Sequence, residues 1–207
     1  MAALDSASSS SSSSVASTVG SSSYDVFLSF RGEDTRYNFI FFLYKALKDA
    51  GIDVFLDNEN LWTGEVIGST LLRAIKGSKI SIPVFSKGYA HSKWCLQELA
   101  QIFQCHKSNG QIVLPIFFHV DPSHVRNQTE SFEEAFRKHE EIFEADIVMS
   151  WREALREVGN LKGEVLKETM NPAELVDSIV KRALSELVSS THLAECEYRI
   201  DMDSSNK

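Results

Sequence analysis

Short, largely apolar runs alternate along this chain with stretches in which apolar residues recur every three or four positions. YDVFLSF (24–30), IDVFLD (52–57), KISIPVF (79–85) and IVLPIFFHV (112–120) are runs of the first kind. They read as strands buried on both faces, and GEVLKE (163–168) is a weaker fifth. Between them the helical period covers 34–50, about 65–76, 93–107, 130–145 and about 148–160. Asn171-Pro172 reads as an N-cap followed by a first-turn proline. It opens a last helix to about Ser189, with Leu175, Ile179, Ala183 and Leu187 on one face.

Alternating strands and helices imply right-handed crossovers and a parallel sheet covered on both sides. The pattern predicts an α/β, flavodoxin-like doubly wound fold, five strands in the order 2-1-3-4-5, with helices on both faces. Winding in such a sheet reverses between strands 1 and 3, and ligands bind in the crevice at the carboxyl ends of the strands there. The loop after strand 1, SFRGEDTR (29–36), and the loop after strand 3, SKGYAHS (86–92), both open onto it. The second leads into SKWCLQEL (92–99), where Trp94 and Glu98 stand one helical turn apart beside a core stripe of Cys95, Leu99, Ile102 and Phe103. The pair is therefore expected at the end of the helix that faces the crevice, with the Glu98 carboxylate held open to a ligand. Alternatively Trp94 is core packing and Glu98 a solvated helix glutamate. A single carboxylate could hold a ribose hydroxyl, stabilise a cation or accept a proton.

The tails differ in pattern. Residues 1–23 are a serine tract too poor in apolar surface to fold, hence an expected disordered tail. It has no arginine or lysine, so an organellar transit peptide is the lesser reading. The ordered domain is expected over 24–190, with 191–207 a frayed tail or linker.

Composition narrows the chemistry. The 207 residues carry a formal net charge of -8, which argues against general nucleic-acid binding. No apolar stretch has the roughly 18 to 20 residues a membrane span needs. Three cysteines, Cys95, Cys105 and Cys196, without CxxC spacing argue against a disulfide framework or a zinc site and for a reduced compartment. No metal site is expected, and the chain lacks the P-loop, the GxGxxG dinucleotide fingerprint, the GxSxG elbow and HExxH. A phosphoacceptor receiver would want an aspartate ending strand 3, where this chain has Val84-Phe85-Ser86.

On the first helix, Phe39, Leu43, Ala46 and Leu47 form the expected core stripe, flanked by Ile40 and Phe42. Phe41 then points away with Tyr37 and Tyr44, an aromatic cluster on a solvent face that suggests a partner.

The run YDVFLSFRGEDTR, then FLD…TGEVIGSTLLRAIKGSKISIPVFSKGYAHSKWCLQEL, VLPIFFHVDPSHVRNQT and WREALREVGNLKG (151–163), resembles a plant Toll/interleukin-1 receptor (TIR) domain over about 24–190. The family includes the amino-terminal parts of nucleotide-binding, leucine-rich-repeat immune receptors and short TIR-only proteins. The resemblance implies a flavodoxin-like fold and an NAD+ nucleosidase that cleaves the nicotinamide–ribose bond when self-associated, because relatives complete or open the site through neighbouring subunits. It implies signalling in plant innate immunity and cell death, in the cytoplasm or alternatively the nucleus. It makes Glu98 the catalytic residue and places Arg31, Gly32, Ser92 and Trp94 near the substrate. Cys95 matches a cysteine some relatives need for a second activity that makes cyclic nucleotides. NAD+ would be substrate, with no cofactor. Arg31 could neutralise pyrophosphate and Trp94 could stack on a ring.

Two departures bear on this. The loop after strand 2 commonly carries two basic residues between leucine and glycine, and here reads Leu61-Trp62-Thr63-Gly64. Many relatives have Ser-His near the middle of the first helix, where this chain has Phe41-Phe42. Gly159 matches a small residue at a second family interface, or else simply ends its helix. Arg31 and Arg36 could instead be structural, paired with Glu33 or Asp34. The altered loop and the lost Ser-His support the alternative, a non-catalytic scaffold that associates with itself and other TIR domains.

Overall fold

The structure is a computed structural model describing residues 24–56 and 68–204, the last fourteen by backbone alone. The serine tract and Trp62, Thr63 and Gly64 lie outside the described residues.

At the centre are β1 (Val26–Phe30) and β3 (Ile80–Phe85), buried at every position. They pair in parallel from Val26 opposite Ile80 to Phe30 opposite Val84. β2 (Val54–Leu56) joins the other side of β1. The expected fourth strand is split into β4 (Ile112–Val113) and β5 (Ile116–Phe118), both on β3. Pro115, which lacks an N–H for the ladder, sits in the break. β6 (Glu164–Leu166) closes the sheet beside β5, giving the path β2-β1-β3-β5-β6. With β4 and β5 taken as one interrupted strand, this is the order expected of a doubly wound fold.

Period-two alternation divides the core. Val26, Leu28, Ile80 and Ile82 face one side, under α2 (Phe41–Asp49) and α8 (Pro172–Ser204). Phe27, Phe85 and Phe117 face the other, under α3 (Ser69–Gly77), α4 (Lys93–Asn109), α5 (Pro122–Asn127), α6 (Ser131–Glu140) and α7 (Ala145–Gly159). Two polar groups seal the foot of this second layer. Gln111 donates to the Ile75 and Ser78 carbonyls (2.6 and 2.8 Å) and accepts from Ser81 Oγ (3.1 Å).

The first helical segment departs from expectation. Instead of one α-helix over 34–50, the chain forms α1 (Gly32–Thr35), a π-helical stretch (Arg36–Ile40) and then α2. Widening to i→i+5 bonds shifts the register; the expected core stripe holds, and the departures are at its edges, Phe42 and Tyr44. Phe39, Ile40, Leu43 and Leu47 are buried, while both Phe41 and Phe42 are exposed. Tyr44 is not on that exposed face: it is half-buried and packs on the core with Ala46.

Two further elements differ. α5 was not expected; Asp121 caps it by accepting from Ser123 N (2.8 Å), with Pro122 in the first turn. α8 begins as expected, with Asn171 Oδ1 accepting from Ala173 N (3.0 Å), but continues to Ser204 rather than ending near Ser189. No glycine or proline follows Pro172 to stop it.

Candidate active site at the sheet's switch point

The carboxyl ends of β1 and β3 lead into the two loops expected to frame a crevice. After β1, Arg31 precedes α1 and Gly32 is buried in its first turn. After β3, buried Ser86 leads through a 3-10 turn (Tyr89–His91) to Ser92, the N-cap of α4. Ser92 Oγ accepts from Cys95 N (3.3 Å), so this side chain fixes where α4 starts. Trp94 follows in the first turn, half-buried, with Lys93 Nζ 4.6 Å from its ring centre.

Glu98 lies one turn further on. It is 3% exposed and is the only acidic side chain among the buried described residues. The expectation of a carboxylate open to a ligand is therefore corrected: in this state of the molecule Glu98 is enclosed. Extending the core stripe of α4 by one position accounts for it, since Leu96 and Leu99 beside it are fully buried. Removing a charge from water is costly, and such a group is retained where its chemistry compensates. Tyr89 is a neighbour. Its hydroxyl is pushed well above the usual phenol range by burial first, then by Cys95 and Glu98, with the Ser29 hydrogen bond opposing.

Tyr89 also pins the rim from within. Ser29 Oγ on β1 lies 2.8 Å from its hydroxyl, which donates to the Cys95 carbonyl at 3.2 Å. From outside, buried His139 on α6 donates through Nε2 to the Ala90 carbonyl (2.8 Å) and packs edge-on against Trp151. The 3-10 turn is thus held on both sides, and α4 is presented in one position.

Arg31 is committed to two carboxylates. Its Nη1 donates to Asp34 Oδ1 (2.8 Å) and its Nη2 to Glu33, whose side chain is 73% exposed. The ion pairs named as a structural alternative are therefore present. A pyrophosphate could displace only the exposed Glu33 partner without breaking the buried side of the network. Arg36 lies over the Phe30 ring at 5.1 Å. Cys95 is 2% exposed, its thiol directed at the Phe30 carbonyl (3.5 Å), a packing position rather than an accessible nucleophile.

Arg31, Gly32, Ser92, Trp94, Cys95 and Glu98 thus gather at one end of the sheet. The residues assigned to association lie at the two places expected of them, the first helical segment and the end of α7. Tyr37, Phe41 and Phe42 are 88%, 58% and 56% exposed, and the two phenylalanine rings meet edge to face at 5.6 Å. Beside them a groove of about 420 Å³ is lined by Asn38, Phe42, Pro172 and Val176 among others. Gly159 is the buried last residue of α7, as its reading as a helix end expects, and an added Cβ would stand 3.2 Å from the Arg126 backbone. Its smallness lets α5 and α7 approach, which makes it a packing position. Asp34, Ser86, Gly88, Tyr89 and His139 were not singled out from the sequence as parts of the site. Only Asp34, in the RGED run, carried a polar signal.

No helix of the described residues is long and apolar enough to cross a membrane. Nor do those residues hold a group of three or more His, Cys, Asp or Glu suited to a metal ion.

The TIR domain family model matches residues 23–199. The chain is 45% identical over 218 residues to disease resistance protein RPV1 of Vitis rotundifolia, covering 100% of this chain and 16% of that protein. It is 48% identical over 167 residues to TMV resistance protein N of Nicotiana glutinosa, covering 80% of this chain and 15% of that one. The chain therefore spans less than a fifth of the length of these curated relatives. Among solved structures, the TIR domains of the activated Roq1 resistosome superpose with a TM-score of 0.70 at 43% identity, over 77% of this chain and 99% of that one.

Proposed function

Since the chain belongs to the TIR domain family, we propose that it is a self-associating NAD+ nucleosidase of plant innate immune and cell-death signalling, acting in the cytoplasm. The observation that carries the proposal is Glu98, the single buried acidic side chain among the described residues, on the helix that follows the loop after β3. Nicotinamide leaves neutral from a cationic glycoside and leaves an oxocarbenium-like centre on the ribose. A carboxylate held in a low-dielectric site stabilises that charge far more than one in water. Addition of water at the anomeric carbon gives ADP-ribose and one proton; attack by a ring nitrogen of the adenine gives the cyclised product. One carboxylate rather than a pair sets this apart from a two-acid glycosidase.

Enclosure of Glu98 implies that the loops must part for NAD+ to enter. Assembly supplies a means, because contacts with a second copy can bias a closed site toward an open one. The resistosome membership of the similar Roq1 TIR domains supports this. The same enclosure favours a second reading, a scaffold that associates without turning over NAD+.

Glu98→Ala separates them. Nicotinamide release by the purified chain is expected to fall by at least about 100-fold in the variant, with an unchanged circular dichroism spectrum. Turnover retained by a folded variant ends the enzymatic reading. No release from the parent chain at any concentration leaves the scaffold.

A further inference from the structure

The two loops that frame the switch point are tied together by one side chain, Asp34, expected from the sequence only as an ion-pair partner of Arg31 or Arg36. Its Oδ1 accepts from Arg31 Nη1 at 2.8 Å. Its Oδ2 accepts from Ser86 Oγ and from the Gly88 backbone N–H, the latter at 3.1 Å. One carboxylate thereby joins the loop after β1 to the loop after β3, across 54 residues of sequence. The position is three-quarters shielded, and Ser86 is 2% exposed, so these charge-assisted bonds are little weakened by water.

Gly88 shows how closely the parts fit. A Cβ added there would run into Arg31 Nη1 and come within 2.6 Å of Asp34 Oδ2. Its φ is -93°, open to any residue, so glycine is required for space rather than for conformation. The backbone has been brought down onto the Arg31–Asp34 pair until no side chain fits between.

We infer that Asp34 is a positioning residue: it fixes the guanidinium of Arg31 and the Gly88–Ser92 loop relative to each other, and so sets the distance between the Arg31 side of the crevice and the Trp94–Glu98 side. This rests on the NAD+ reading for its functional consequence, though not for the geometry. Arg31 would meet the substrate through the guanidinium edge that Glu33 occupies, while Asp34 holds the other edge still. Loss of the latch then weakens binding of the diphosphate-bearing substrate and leaves the bond-breaking step, which depends on Glu98, nearly unchanged.

Asp34→Asn is the direct variant, because it keeps the shape but cannot accept from both loops. It is expected to raise KM for NAD+ by about tenfold with kcat within about twofold. Amide exchange at Gly88 should quicken by a similar factor. Gly88→Ala, which wedges the same joint from the other loop, should reproduce the KM rise. Glu33→Gln, at the exposed partner, should change KM by less than about twofold. Unchanged exchange at Gly88 in Asp34→Asn overturns the latch, whatever the activity. So does a loss confined to kcat, or a fall in melting temperature with KM unaltered, either of which marks Asp34 as merely structural. If the parent chain releases no nicotinamide, the NAD+ reading fails and the latch stands or falls on the exchange measurement.

Discussion

The rim of the switch point and the aromatic face of α2 depart from an ordinary protein surface in opposite directions. At the rim, polar groups are buried: Ser29, Ser86 and the hydroxyl of Tyr89. On the aromatic face, apolar groups are left in solvent: Tyr37, Phe41 and Phe42. Neither choice helps a lone domain to fold. The rim gives up hydration of its polar groups and recovers it through a closed network of hydrogen bonds, which fixes geometry. The aromatic face gives up burial that a partner could restore. The rim thus fixes placement within one chain, while the face leaves apolar surface in solvent, which under the proposed function is the surface for a second copy.

Stability measurements should separate the two sharply. Tyr89→Phe removes the hydroxyl that links the buried Ser29 hydroxyl to the Cys95 carbonyl, and both lose that hydrogen bond. It should cost about 1–3 kcal/mol in chemical denaturation. A cost near zero would mean that the rim network is ornamental. Phe41→Ser with Phe42→Ser should change monomer stability by no more than about 0.5 kcal/mol. The same pair should weaken self-association about tenfold by sedimentation, since aromatic anchors dominate contacts of this kind. Unaltered association would remove the aromatic face from the comparison.

The smallest effect is pH-linked and belongs to the rim. His91 is held below its ordinary value of 6.5 by burial first and by Lys138 next, with Glu134 opposing and Arg31 and His139 adding to the fall. Its folded pKa is lower than its unfolded one, so the unfolded chain binds more protons as pH drops below 6.5. This contribution is full above that value and is lost as pH falls through the folded pKa. His91→Gln should flatten the melting temperature between pH 7 and 5, by a shift smaller than that of Tyr89→Phe.

How far the sequence reached follows the same division. The strands were legible because burial on both faces leaves continuous apolar runs such as VFLSF and ISIPVF. The cap at Asn171 acts within two residues, so it too was read locally, whereas the equally local cap at Ser92 was not singled out. The break at Pro115 was visible in the letters but not in its consequence, two short strands on one partner. The π-helical stretch was not legible, because nothing in RYNFI marks a change of period; the stripe of Phe39, Leu43, Ala46 and Leu47 still lies on the core, and the misjudged positions are at its edges, Phe42 and Tyr44. That is why Tyr44 was placed in solvent and lies on the core. The latch at Asp34 and the clamp at His139 join residues 52 and 49 positions apart, a distance over which one sequence carries no pairing signal. The enclosure of Glu98 belongs to the same class: a helical wheel gives its direction, but its depth depends on loops packed from elsewhere.

The central claim, that Glu98 sits in a closed site which assembly opens for NAD+, meets its most direct test in nicotinamide release measured against protein concentration. The account predicts a rate that rises more steeply than linearly with concentration and disappears in Glu98→Ala. A rate strictly proportional to concentration, or one that survives the substitution, would contradict it.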